Sequence, residues 1–112
     1  MSAPGELART PEPPYYAVIF TSRRTEGDRG YGAMAEKMAA LAAQQPGYLG
    51  IESARGPDGL GITVSYWRDE ESSAAWRDNA RHAQTRADGR AEWYEEFRVH
   101  VAKVERSYSF TR

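Results

Sequence analysis

Two histidines, three tryptophans and seven tyrosines are the side chains of this sequence whose chemistry reaches beyond packing. Trp76 and His82 stand six positions apart in one stretch of helical character. An indole offers a flat wall on which an aromatic ligand stacks. A histidine titrates near neutral pH, so it serves as an acid or base or holds an anionic ligand. His82 is therefore the expected catalytic residue, weighed against a histidine that only satisfies a backbone carbonyl. Trp67 and Tyr66, at the end of an apolar run, are expected to join Trp76 as substrate-binding walls. Tyr16 adds a phenol able to donate to a substrate oxygen, and Asn79 an amide able to orient a ligand carbonyl. Tyr48, Tyr94 and Tyr108 supply further phenols, each read first as packing. His100, between Val99 and Val101, reads as structural or surface.

Other chemistries find no footing. Cysteine is absent, which excludes disulfides, thiolate metal sites and a cysteine nucleophile. With His82 and His100 alone, a multi-histidine metal site within one subunit is not expected, so no metal is assigned. No nucleophile elbow, phosphate loop or dinucleotide fingerprint occurs. The 15 basic and 16 acidic residues leave a net charge of -1, against a nucleic-acid partner or a polybasic membrane anchor. No apolar run approaches the ~20 residues that span a bilayer, and a cytoplasmic protein is expected. A chain of 112 residues fits one domain with one core.

The elements that must position these residues follow from pattern. Residues 1–14 hold four prolines and read as a flexible, Pro-rich tail, mobile or draped on the surface. The domain proper spans residues 15–112. Tyr15 to Arg23 reads as a strand, apolar on both faces, so both faces are expected to be covered. Asp28 is placed to cap a helix whose buried stripe is Tyr31, Met34, Met38 and Leu41, and Pro46-Gly47 stops it. Tyr48–Ala54 and Leu60–Trp67 read as a hairpin around Arg55-Gly-Pro-Asp-Gly59. In its second strand Leu60, Ile62, Val64 and Tyr66 face one way, and Gly61, Thr63, Ser65 and Trp67 the other. Asp69 caps a second helix from near Glu70 to about Ala87, ended by Gly89.

Phe97 to Phe110 reads as a last, overlong strand. Its apolar positions change parity between Val101 and Val104, which predicts a β-bulge near Ala102 and Lys103. The excess end is expected to pair outside its own subunit. The order βαββαβ is the ferredoxin-like α+β arrangement, a four-stranded antiparallel sheet with helices on one face. The other face is bare in a monomer and is expected to meet a second copy.

Several of these residues also carry a resemblance. Tyr66-Trp67-Arg68-Asp69, Trp76, His82, Gln84, Gly89-Arg90, Trp93-Tyr94 and Val104-Glu105-Arg106-Ser107-Tyr108 are similar to the antibiotic biosynthesis monooxygenase domain family, as is the turn Gln45-Pro46-Gly47-Tyr48. The likeness runs from about Tyr15 to Phe110. It implies a dimeric α+β barrel, in which two subunits pack sheet to sheet and the last strand reaches onto the partner. It also implies a cavity between sheet and helices in each subunit. Some members oxygenate polycyclic phenols with dioxygen and no metal or flavin, and others degrade haem. Tyr66 and Trp67 fit the aromatic part of the oxygenase site. The first strand has no asparagine where both groups carry one, and the gap from Trp76 to His82 is shorter than in haem-degrading members.

The function expected is that of a cofactor-independent monooxygenase, acting on a small aromatic or quinol-like compound with dioxygen. His82 would be the base that forms a phenolate. The alternative is a non-catalytic dimeric protein that binds a small molecule in the same pocket, and haem binding or degradation ranks third.

Overall fold

Ten consecutive residues rich in aromatic and β-branched types, Tyr15–Arg24, form β1 at the heart of a four-stranded antiparallel sheet. The structure, a computed structural model, describes residues 5–86 and 90–112. α1 (Tyr31–Ala43) follows β1, then β2 (Tyr48–Arg55), β3 (Leu60–Trp67), α2 (Glu70–Arg86), α3 (Arg90–Trp93) and β4 (Tyr94–Val104). The strand order β2-β3-β1-β4 puts β1 and β3 inside and leaves β2 and β4 as edges. This is the ferredoxin-like α+β architecture that the sequence implied. No helix among the described residues is long and apolar enough to cross a membrane.

Pairing fixes which side chains share a face. Tyr16 stands opposite Trp67, Val18 opposite Ser65 and Val101, and Phe20 opposite Thr63 and Val99. These residues face the helices, and Val18 joins Ala42, Trp67 and Trp76 in the main core. A second cluster is built from Met34, Trp93 and Tyr94. The opposite, outer face carries Tyr15, Ala17 and Ile19 of β1 with Tyr66 and Val64 of β3.

Several local details depart from expectation. Asp28 does not stand at the helix boundary: Gly30 is the N-cap residue of α1. The Asp28 carboxylate instead accepts from the Gly30 and Gly32 N–H groups at 3.0 and 3.1 Å, satisfying first-turn donors from two positions upstream. Asp69 does cap α2, accepting the Ser72 N–H at 2.8 Å. That bond holds its carboxyl below the usual range.

The last strand is shorter than expected and its bulge lies elsewhere. Register with β1 runs unbroken from Glu96 to Val104, and the irregularity falls between Arg23 and Arg24, opposite Glu95. There is no bulge at Ala102 and Lys103. The parity change has another cause: Phe97, Val99 and Val101 line the helix side, whereas Val104, opposite Tyr15, belongs to the outer face. The short turn α3, which the sequence pattern does not announce, supplies Trp93 to the second cluster beside Tyr94. The expected helix end at Ala87 and Gly89 lies outside the described residues.

Part of the tail is draped over the outer face. The Ala8 N–H donates to Glu52 Oε2 at 2.9 Å, and the Thr10 hydroxyl lies 2.9 Å from that of Tyr15. Gly50 makes room for it, since a Cβ there would stand 2.7 Å from that of Ala8. Tyr15 and Ala17 are buried at this corner, while Leu60 and Ile62 farther along the same face stay exposed.

Candidate functional site

A cavity of about 800 Å³ opens between the sheet and the two long helices. It exists because the sheet face offers small polar groups, Ser53, Thr63 and Ser65, beneath the apolar helix stripes. Phe20, Met34, Met38, Trp76 and Phe97 make most of the apolar wall. On the β4 side Phe97, Val99 and Val101 remain 36%, 42% and 38% exposed.

Trp76 closes one end. Its ring stacks on that of Trp67, which is wholly buried and donates its Nε1–H to Ser65 Oγ at 2.8 Å. Trp67 therefore stands behind the wall rather than in it. Tyr16 packs against the same core and also lies outside the lining.

The remaining expected residues are placed elsewhere, for geometric reasons. Tyr66 neighbours Trp67 on a strand, so its side chain is on the outer face, where its hydroxyl donates to Glu52 Oε1 at 2.8 Å. Burial, and then that carboxylate, push its phenol well above the ordinary range. His82 is exposed and is not among the lining residues. A six-residue step turns a helical side chain about 120° away from its starting direction. Trp76 faces the sheet, so His82 does not. Asn79 is exposed too, donating to Gln45 Oε1 at 3.0 Å. Of the six expected residues, the cavity wall takes Trp76.

The opposite end is polar and was not read from the sequence as a site. Tyr31, from the first turn of α1, and Tyr94, the first residue of β4, both line it, their ring centroids 5.8 Å apart. The Arg24 guanidinium lies 3.8 Å from the Tyr31 ring centroid, and its Nε–H donates to the Trp93 carbonyl at 2.9 Å. Arg55 crosses from β2 over the sheet. It donates from Nη2 to Ser22 Oγ at 2.8 Å and to the Tyr31 hydroxyl at 3.2 Å, and from Nη1 to the Ser22 and Gly59 carbonyls. Burial, with the neighbouring Tyr31 phenol second, holds the Tyr94 proton more tightly than in a free phenol. One signal for this end was present in the sequence: Gly61, a glycine inside a strand, marks a place where another group comes close. That group is Arg55, whose Cζ would be 2.6 Å from a Cβ at Gly61.

Glu36, Arg77, Asp78 and Arg81 also stand in the lining, and a largely apolar slot with an aromatic wall at one end and phenols at the other suits a flat ring compound that carries oxygen. Among the described residues, no group of three or more His, Cys, Asp or Glu side chains is placed to hold a metal ion.

Comparison with known proteins gives a consistent result. The profile of the family described as antibiotic biosynthesis monooxygenase matches residues 14–88. The uncharacterized protein YqjZ of Bacillus subtilis (strain 168) is 54% identical over 104 residues, covering 93% of this chain and 91% of its own. Among solved structures, SnoaB, a cofactor-independent oxygenase from Streptomyces nogalater, superposes with a TM-score of 0.69 at 11% identity, over 85% of this chain and 97% of SnoaB. PA3566 from Pseudomonas aeruginosa gives a TM-score of 0.65 at 14% identity, over 87% of this chain and 98% of that one.

Proposed function

The chain belongs to the antibiotic biosynthesis monooxygenase family, and from that premise we propose that its cavity takes up a small aromatic or quinol-like compound, which dioxygen oxidises there without metal or flavin. The observation that carries this reading is the cavity of about 800 Å³ between sheet and helices, with its aromatic wall at Trp76. Its volume falls in the range of small-molecule sites.

The chemistry asks little of the protein in covalent terms. An electron-rich ring passes electrons to dioxygen directly. For an anthrone-like substrate, a ring CH₂ becomes C=O: both C–H bonds break, one oxygen atom enters the product, and the other leaves as water. The four electrons lost by carbon reduce the dioxygen. The protein's part is to bind the ring, favour its anionic form and keep bulk water away. Phe20, Met38 and Trp76 serve the first and last of these. Guanidinium groups near the cavity serve the second, since a nearby positive charge favours a phenolate.

A second copy completes the assembly in this proposal. The exposed Leu60 and Ile62 lie on the outer face that β-sheet packing would bury, and Tyr108 and Phe110 extend past the end of β4, 99% and 87% exposed. That face and the last strand are the proposed subunit contact.

The test follows dissolved oxygen with purified protein, no cofactor added, and a panel of hydroxynaphthalenes, anthrones and quinols. Uptake with stoichiometric oxygenated product supports the reading. No uptake with any compound, while 1-naphthol still binds, makes this a binding protein of the same fold.

A further inference from the structure

We propose that the Tyr31 hydroxyl is the anchor for an oxygen on the ligand ring, with Arg55 as the residue that positions it. This deepens the reading above and rests on it. The argument begins with the direction of one hydrogen bond. A guanidinium has donors and no acceptor, so the 3.2 Å contact between Arg55 Nη2 and the Tyr31 oxygen uses a lone pair of the phenol. The Tyr94 hydroxyl is a further partner of that oxygen, and the contact helps Tyr94 keep its own proton, so there too the Tyr31 oxygen accepts. The proton of the Tyr31 phenol is left to donate. An aromatic ligand that displaces water from this part of the wall can meet that donor with a hydroxyl, phenolate or carbonyl oxygen.

The surroundings are built for this. Arg55 is held by Ser22 Oγ and by two backbone carbonyls, so it presents its fourth contact to Tyr31 from a fixed position. Gly61 leaves the space in which it lies. Arg24 packs on the Tyr31 ring and fixes its plane. Neither Arg24 nor Arg55 forms an ion pair among the described residues, where the pairs involve Arg68, Arg77 and Arg81. Two uncompensated positive charges therefore sit behind the anchor and favour an oxygen bearing negative charge. The ligand class is thus narrowed to rings with oxygen at one end, the remaining rings lying toward Trp76.

The test uses two probes of similar shape, 1-naphthol and 1-methylnaphthalene, titrated by fluorescence or calorimetry. The wild-type protein is expected to prefer 1-naphthol by about tenfold. Tyr31→Phe keeps the ring under Arg24 and removes only the oxygen. It should erase the preference while leaving 1-methylnaphthalene within about twofold of wild type. Arg55→Lys keeps the charge and loses the fork, so it should lower the preference without weakening 1-methylnaphthalene. A preference that survives in Tyr31→Phe overturns the anchor. Equal loss of both probes in Arg55→Lys reduces Arg55 to a structural role and overturns its part. Equal binding of both probes to wild type overturns the anchor alone, whereas binding of neither overturns the cavity reading and the anchor with it.

Discussion

The Trp76 indole lies on that of Trp67, with ring centroids 5.7 Å apart and planes 20° from parallel. One tryptophan is core and the other is both core and cavity wall. The pair therefore couples the stability of the fold to the shape of the site. Trp67 keeps its place through Ser65, whose hydroxyl also belongs to the cavity floor.

Truncating the wall residue should show that coupling. Trp76→Ala is expected to cost about 3 kcal/mol, the usual price of an indole lost from a packed core. Urea denaturation would read this as a lower midpoint at unchanged slope. Trp67→Phe removes the donor to Ser65 and is expected to cost about 1 kcal/mol beyond the lost volume. An unchanged midpoint in Trp76→Ala would mean the stack carries no load.

His82 offers a sharp test of position against residue type. Its exposed place on α2 leads us to expect oxygen uptake by His82→Ala within about twofold of wild type, since a general base must reach the proton it removes. A fall of more than about tenfold would restore it as that base, brought to the substrate by a rearrangement of the helix.

Gly61→Ala should act through Arg55 alone. The new methyl group would collide with the far end of a flexible side chain, which can move aside, so stability should change little. The guanidinium can no longer hold both Ser22 and Tyr31. The preference for 1-naphthol over 1-methylnaphthalene should fall as it does in Arg55→Lys. Retention of the full preference would show that Tyr31 does not depend on Arg55.

Alkaline titration should set three phenols apart. Tyr48, Tyr66 and Tyr94 of the seven tyrosines have folded values raised above the ordinary one, in each case chiefly by burial. A raised folded value means that the unfolded chain releases its proton first. The stability these groups contribute is thus complete below about pH 10, falls as pH rises past that point, and is gone above their folded values. Phenolate absorbance should show Tyr48, Tyr66 and Tyr94 ionising late, and the urea midpoint should decline above about pH 10. Tyr66→Phe should make that decline shallower. Ionisation of these three near the ordinary value would contradict the burial.

The architecture was legible in the sequence because its periods are clear. Tyr31, Met34, Met38 and Leu41 keep one helical face, and the alternation from Leu60 to Trp67 is unbroken. The same alternation separates Tyr66 from Trp67, so one cavity cannot take both. The sequence reading placed them together because their types matched a family, and type does not fix the face. The site's polar end was hidden for a related reason. Tyr31 fits a core stripe and Arg55 fits a turn, and only strand pairing brings β2, β1 and the start of α1 within one hydrogen-bond length. Chain-local patterns carry no record of such a meeting, apart from the missing side chain at Gly61.

The strap formed by residues near Ala8 implies an order of assembly. Its anchor, Glu52, lies 44 positions later in the chain, and that carboxylate also accepts from Tyr66. As the chain leaves the ribosome, the segment around Ala8 emerges before Glu52 and has no seat to dock on. Its seat arises only when β2 and β3 lie side by side. The segment around Ala8 is thus expected to settle after that hairpin, and its attachment to Glu52 reports that the hairpin has closed.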